Sequence, residues 1–142
     1  MPPVDCTFCR IIAGELPAHV VLDDDVCLAF LDVRPVFPGH VLLVPKAHHE
    51  TLADLPPEQV EPLFARAQRL SAAVPAAMGA TGTFVAMNNT VSQSVPHLHV
   101  HVVPRRPKDG LRGFFWPRTK YADAEAATYA ERLRAALTQP DG

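Results

Sequence analysis

The chain predicts an α+β fold, a mostly antiparallel sheet of about five strands with two main helices. Three observations carry that expectation. Short apolar runs, several of them alternating with period two, recur between turn-forming residues, as strands do. Two longer stretches space their apolar residues three and four apart, as helices that cover a sheet do. The order of these pieces is strand, strand, strand, helix, strand, strand, helix, which layer packing resolves into one sheet with helices against it.

Each element follows from its residues. Asp5 is placed to cap a short helix over Cys6 to Ala13, with Gly14 ending it and Pro17 preventing its continuation. A hairpin follows, His19 to Asp23 and Val26 to Leu31 around the turn Asp23-Asp24-Asp25. Pro35 and Pro38-Gly39 mark a loop before the strand His40 to Val44, which Pro45 closes. A helix begins at Pro56-Pro57-Glu58, proline suiting a first turn, and sets Val60, Leu63, Phe64, Ala67 and Leu70 on one face. Pro62 strains or bends that first turn, and Pro75 with Gly79 is expected to end the helix. Thr83 to Met87 is a strand, Asn88 to Ser94 a polar loop, and Val95 to Pro104 the last strand. Asp123 is placed to cap a final helix with Ala126, Tyr129, Leu133 and Leu137 on one face.

Length and composition narrow the function. The chain has 142 residues, 48% hydrophobic and 20% charged, which suits one globular domain with a real core. No apolar run is long enough to cross a bilayer, and Met1 to Asp5 lacks the basic and apolar regions of a signal peptide, so a cytoplasmic location is expected. Three cysteines, an odd number, argue against a disulfide scaffold. A net charge of −2 excludes bulk attraction to nucleic acid or anionic membranes. Even so, Arg105, Arg106, Lys108, Arg112, Arg118 and Lys120 crowd together, nearly half of the thirteen basic residues, beside a run of histidines. Such a run is a solvated surface loop or an attractor of an anionic substrate.

That run is His97-Leu98-His99-Val100-His101. On a strand rising about 3.3 Å per residue, alternate imidazoles would stand about 6.6 Å apart on one half-buried face, with Leu98, Val100 and Val102 turned into the core. A neutral imidazole can attack phosphorus, provided one nitrogen is unprotonated and an acceptor holds the other. Phosphoryl transfer otherwise needs positioning and donors around the phosphoryl oxygens.

The motif His97-Leu98-His99-Val100-His101-Val102-Val103 resembles the signature of the histidine-triad (HIT) family. Leu28-Ala29-Phe30-Leu31-Asp32 and Pro38-Gly39-His40-Val41-Leu42-Leu43-Val44-Pro45-Lys46 resemble that family's nucleotide-binding half, so the likeness runs from about Cys6 to Pro104. It implies a single HIT domain over 1–142 with its core at about 6–104 and a C-terminal basic, aromatic loop and helix at 105–138. It also implies a homodimeric purine-nucleotide hydrolase or nucleotidyl transferase that acts at the α-phosphate through a covalent nucleotidyl-histidine. The alternative is a nucleotide-binding or interaction module with negligible turnover.

By the same resemblance His99 is the nucleophile, His101 contacts the phosphate and His40 completes the catalytic cluster. Asn88, Asn89, Gln93 and Ser94 are the candidate phosphate contacts, although this loop lacks the glycines of the family and is about two residues shorter. Asp32 is expected to accept the ribose hydroxyls, and Phe8, Ile11, Phe30, Leu31 and Val33 to hold the base. Two substrate classes are open. Pro35-Val36-Phe37-Pro38-Gly39-His40-Val41 resembles the branch that cleaves dinucleoside polyphosphates, whereas the cysteine pair and Gln93-Ser94-Val95 resemble the nucleoside-phosphoramidase branch.

Cys6-Thr7-Phe8-Cys9 is a C-x-x-C pair that needs two more ligands for tetrahedral zinc. The resemblance supplies His48 and His97, with His49 next door as a possible substitute. His97 then anchors the strand that presents His99. Cys27 reads as a buried thiol. Residues 110–118 concentrate aromatics and arginines, either to hold the last helix or to cover the site.

Overall fold

The computed structural model describes residues 5–111 and 118–138. They fall into two compact units, Met1–Asp109 and Gly110–Gly142. Much of the aromatic segment, residues 112–117, lies outside the described residues.

In the first unit, α1 (Thr7–Ile12), β1 (Val20–Asp23), β2 (Cys27–Leu31) and β3 (Val41–Pro45) precede a 3-10 turn at Leu52–Asp54. The long helix α2 (Pro57–Met78), β4 (Gly82–Ala86) and β5 (Val100–Arg105) follow. The five strands form one sheet in the order β1-β2-β3-β5-β4, and every neighbouring pair is antiparallel. Asp24 sets the hairpin turn, its Oδ1 accepting the N–H groups of Val26 and Cys27 at 2.9 Å each. Its Oδ2 takes Arg66 Nε of α2 at 2.6 Å, and that guanidinium holds the carboxyl down at about 2.

Alternation along the central strands sorts two cores. Cys27, Ala29, Val41, Leu43, Val100 and Val102 pack toward Leu63, Ala67, Leu70 and Val74 of α2. Leu28, Phe30, Leu42 and Val44 pack with Cys6 and Phe8 around α1. Both faces are therefore covered, and β2 and β3 read as continuous buried runs. His101 pairs across the sheet with Leu42, which puts it on the α1 face.

Several elements depart from expectation. The triad is not one strand: β5 begins only at Val100, so His97 and His99 lie in the segment before it. Leu98 N–H bonds His49 O at 2.7 Å, so that segment is fastened to the chain beyond β3 by an isolated bond. The face expected to be half-buried is covered at its first two histidines, where α1 packs over it, and His101 alone of the three stays half-buried. His97 is 0% and His99 4% exposed, and the Phe8 ring stands edge-on to both at 5.9 and 5.1 Å.

Pro75 does not end α2; the helix runs to Met78, and Gly79, left-handed at φ 63°, stops it by donating to Pro75 O. Burial of Leu63, Ala67, Leu70 and Val74 outweighs the one or two hydrogen bonds its prolines forfeit. Cys6, not Asp5, caps α1, its Sγ accepting Cys9 N–H at 3.4 Å. In the second unit α3 (Glu125–Leu137) starts after a left-handed Ala124, and Glu125, not Asp123, accepts the free Ala122 N–H at 2.5 Å. No residue of α3 is buried, including the expected face of Ala126, Tyr129, Leu133 and Leu137. Among the described residues of that unit α3 is the only helix or strand, so nothing there can cover it. No described helix is long and apolar enough to cross a membrane.

Candidate active site

On the α1 face, a cleft of about 480 Å³ opens over β2, β3 and β5. Of the residues expected to bind nucleotide, Phe8, Ile11, Phe30, Leu31, Asp32, Val33, Ser94, His99 and His101 line it. One end is walled by apolar side chains, and the two imidazoles, their rings 5.0 Å apart and nearly perpendicular, stand in the same cleft. His40 does not line it. It lies beneath, 3% exposed, and reaches His101 from β3's leading edge.

Hydrogen bonds to the main chain assign a proton to each ring. His99 Nδ1 lies 2.7 Å from His97 O. A carbonyl only accepts, so Nδ1 carries a proton, and in the neutral ring Nε2 holds the lone pair. Val36 N–H donates to His40 Nδ1 at 3.1 Å, which puts the proton of His40 on Nε2. That N–H donates in turn to His101 Nδ1 at 2.9 Å, leaving His101 protonated at Nε2. The cleft thus holds one imidazole with a free lone pair and one with a free N–H. Burial, followed by the His99 and His40 charges, pushes His101 down to about 4, and burial likewise lowers His40. Both are neutral near pH 7.

Asp32 accepts Arg34 N–H through Oδ1 at 2.9 Å, and its Oδ2 stands 3.7 Å from His40 Nδ1. Donor atoms of Asp32, His40 and His101 lie within 4.8 Å of one another, close enough for a metal ion. The proton chain, however, already uses both His40 nitrogens, so this set lacks the lone pair a metal would need.

A second donor set has the lone pairs it needs. Cys6 and Cys9 Sγ each lie 3.5 Å from His97 Nδ1, Cys9 Sγ lies 3.3 Å from His48 Nδ1, and the two Nδ1 atoms are 3.1 Å apart. Tetrahedral zinc separates its ligand atoms by about 3.3–3.8 Å, given bonds of about 2.3 Å to sulfur and 2.0–2.1 Å to nitrogen. The set fits. His97 Nε2 donates to Pro45 O at 2.8 Å, which turns the Nδ1 lone pair toward the thiols. Burial holds His97 at about 4, neutral and able to ligate, while burial and Cys6 push the Cys9 thiol up to about 11. His48, not His49, enters the set; His49 Nε2 is buried without a hydrogen-bond partner among the described residues.

Asn88, Asn89 and Gln93 do not line the cleft. Asn89 Oδ1 accepts Leu52 N–H at 2.8 Å, and Gln93 donates to Glu50 O at 2.6 Å while accepting Thr90 N–H at 2.8 Å. Asn88 donates to Ser92 O at 3.3 Å. The amides of Asn89 and Gln93 fasten the loop to the segment after β3, and that of Asn88 ties the loop to itself. Thr90 and Ser92 adopt φ of 71° and 63°, the left-handed region that glycine favours. Sequence reasoning missed Thr7, Pro17, Ala18, Arg34, Leu42 and Val95 in the cleft wall. Leu42 was within reach, because it shares strand parity with Val44; the others carry no pattern. It also could not find Val36 N–H, Pro45 O and His97 O, since any residue supplies such groups.

Comparison with known proteins agrees with this geometry. A family model described as the HIT domain matches residues 13–108. An uncharacterized HIT-like protein of Mycobacterium tuberculosis is 40% identical over 141 residues, covering 96% of this chain and 95% of that one. Adenylylsulfatase HINT3 of Arabidopsis thaliana is 38% identical over 109 residues, 75% of this chain but only 55% of that protein. The solved structure of a zinc-bound histidine triad family protein from Mycobacterium smegmatis superposes with a TM-score of 0.72 at 36% identity, over 94% of this chain and 95% of that one.

Proposed function

The chain belongs to the HIT family, and we propose that it is a nucleotide hydrolase or nucleotidyl transferase working through a nucleotidyl-His99 intermediate. The single observation that carries this reading is the hydrogen bond from His99 Nδ1–H to His97 O, which leaves Nε2 as a lone pair in the cleft. That lone pair attacks the α-phosphorus; the N–P bond forms as the bond to the leaving group breaks. Positive charge grows on the ring, and the 2.7 Å bond to the His97 carbonyl strengthens as it does. His101 Nε2–H donates to a phosphoryl oxygen, and Ser94 adds a hydroxyl donor at the same end. Water or another acceptor then opens the intermediate, restoring His99.

Asp32 accepts the ribose hydroxyls, and the purine lies among Phe8, Ile11, Phe30, Leu31 and Val33. Asn88, Asn89 and Gln93 act on the phosphate end indirectly, by holding the loop that carries Ser94. Cys6, Cys9, His48 and His97 hold structural zinc, which when bound cross-links α1, the segment after β3 and the triad segment. The relative named as an adenylylsulfatase adds adenylyl sulfate to phosphoramidates and dinucleoside polyphosphates as substrates to test. A homodimer is the assembly we propose; Val60 and Phe64 on α2 and Val85 on the edge strand β4 leave apolar surface exposed for it.

The test is direct. The protein is incubated with adenosine phosphoramidate, adenylyl-lysine, diadenosine polyphosphates and adenylyl sulfate, and AMP release and nucleotide bound to His99 are measured. His99→Ala should fold and lose turnover. A folded His99→Ala variant with undiminished activity would sink the mechanism, and nucleotide binding without any turnover would favour the binding-module reading.

A further inference from the structure

The zinc ligands include two thiols that a structural site does not require to be reachable. Cys6 stands at the N-cap of α1 and Cys9 in its first turn, and both sulfurs converge on one atom, His97 Nδ1, at 3.5 Å each. All four donor atoms lie within 4.8 Å of one another, so the sulfurs start within a few ångströms of a disulfide's length of about 2.05 Å. Access is present on the same side. Cys9 is half-buried rather than sealed, and a cavity of about 340 Å³, which shares Thr7, Ser94 and Val95 with the nucleotide cleft, is walled in part by Cys6, His48 and Glu50. The third cysteine, Cys27, is 0% exposed on β2 and belongs to neither feature.

We infer that the Cys6–Cys9 pair is an oxidation-sensitive latch, which a hydroperoxide closes into a disulfide, releasing the metal and with it the grip on His97. The inference rests on the zinc reading above. In the first step Cys9, a thiolate while it ligates the metal, attacks an oxygen of hydrogen peroxide; the S–O bond forms, the O–O bond breaks, and hydroxide leaves. The Cys6 thiolate then attacks the Cys9 sulfur; the S–S bond forms and the sulfenic oxygen leaves as a second hydroxide. The two hydroxides balance the charge of the divalent ion set free, and buffer acid protonates them to water. The thiolates lose two electrons, the peroxide gains them, and the ion departs unreduced because its anionic ligands are gone.

The consequence reaches the catalytic cleft through one residue. His97 presents Nδ1 to the metal, Nε2 to Pro45 O, and its own carbonyl to His99 Nδ1. With the metal gone, Pro45 alone orients the ring, and the carbonyl that fixes the His99 proton is held less firmly. His97 is thus a positioning residue whose hold depends on the redox state of two side chains on another element.

The experiment treats the purified, metal-loaded protein with hydrogen peroxide. It follows metal release with a chromogenic chelator, thiol loss by alkylation and intact mass, and the ring nitrogens of His99 by 15N NMR. Expected are one equivalent of metal released, loss of the two thiol hydrogens with a Cys6–Cys9 linkage on peptide mapping, exchange between His99 tautomers, and a fall of about tenfold in turnover, typical of lost ligand support. Dithiothreitol with added zinc should reverse all of them, and a folded Cys27→Ala variant should behave as the parent. Bound zinc that peroxide neither releases nor replaces with that linkage overturns the latch alone. Metal release with an unchanged His99 tautomer overturns its coupling to the cleft. A protein that purifies without metal and binds none on addition overturns the zinc reading and the latch together.

Discussion

His40 offers the sharpest test of the proton chain. It is 3% exposed and absent from the cleft wall, so it acts on a substrate only through His101. Replacing it with alanine removes the 2.9 Å bond to His101 Nδ1 and the acceptor for Val36 N–H. Leaving a buried acceptor without its donor costs about 1–3 kcal/mol. If that energy appears in the positioning of His101 Nε2–H, turnover falls about 5- to 150-fold, at about 1.36 kcal/mol per tenfold. KM should change little. His40→Gln places an amide near the lost Nε2 and should restore most of the rate, and Val36→Pro, which deletes only the loop's N–H, should fall between the two. Single-turnover AMP release from a nucleoside phosphoramidate gives the rates, and 15N NMR gives the His101 tautomer. Full activity in a folded His40→Ala variant, a Gln variant no better than the Ala variant, or a protonated Nδ1 on His101 in the parent would refute the reasoning.

Other expectations follow from single features. Gly39 sits at φ +95°, and a Cβ there would meet Met78 Cγ at 2.6 Å. Gly39→Ala should therefore cost about 1–2 kcal/mol in backbone strain, with a further steric share that Met78→Ala returns in a double-mutant cycle followed by urea unfolding. Near pH 6.5 the unfolded chain's histidines take up protons that folded His101 refuses until about 4, and His40 is shifted the same way. Unfolding free energy should thus fall as pH drops from 6.5 to about 4; His101→Gln should flatten part of that slope, and an unchanged slope would contradict the assignment. Thr90→Gly relieves a β-branched residue at φ 71° and should raise the melting temperature, by about 1 kcal/mol of strain removed, with turnover retained. A lower melting temperature would show that the loop is held by more than the bonds to Glu50 and Leu52.

The strands were legible in the sequence as short apolar runs between turn residues, whereas the alternation of Leu28 and Phe30 against Cys27 and Ala29 that sorts the two cores became visible only in the structure. Alternation misled at His97–His99, because an extended segment tied by one backbone bond has the side-chain period of a paired strand. Pro75 misled in the opposite direction: a local rule for breaking helices gave way to the buried face around Leu70 and Val74. At the site, residue types with unusual chemistry were easy to find. Cys6, Cys9, His97, His99 and His101 stand out by spacing alone. Amides did not, since Asn89 and Gln93 could equally serve a phosphate or their own loop, and here they serve the loop. Choosing His48 over His49 required alignment, because adjacent residues differ only in which way the backbone turns them.

One feature of the cleft bears on how such proteins diversify. The main chain sets the tautomer of three histidines, Val36 N–H for His40, Pro45 O for His97 and His97 O for His99, and His101 takes its tautomer from His40. Mutation cannot delete a carbonyl, and only proline deletes an N–H. The reactive arrangement is therefore insulated from drift in the side chains around it, provided the backbone path holds. Residues such as Thr7, Arg34 and Val95 are free to vary and so to retune which molecule is accepted, while the imidazoles keep their roles. Selection can explore new leaving groups on this scaffold without first dismantling the reaction.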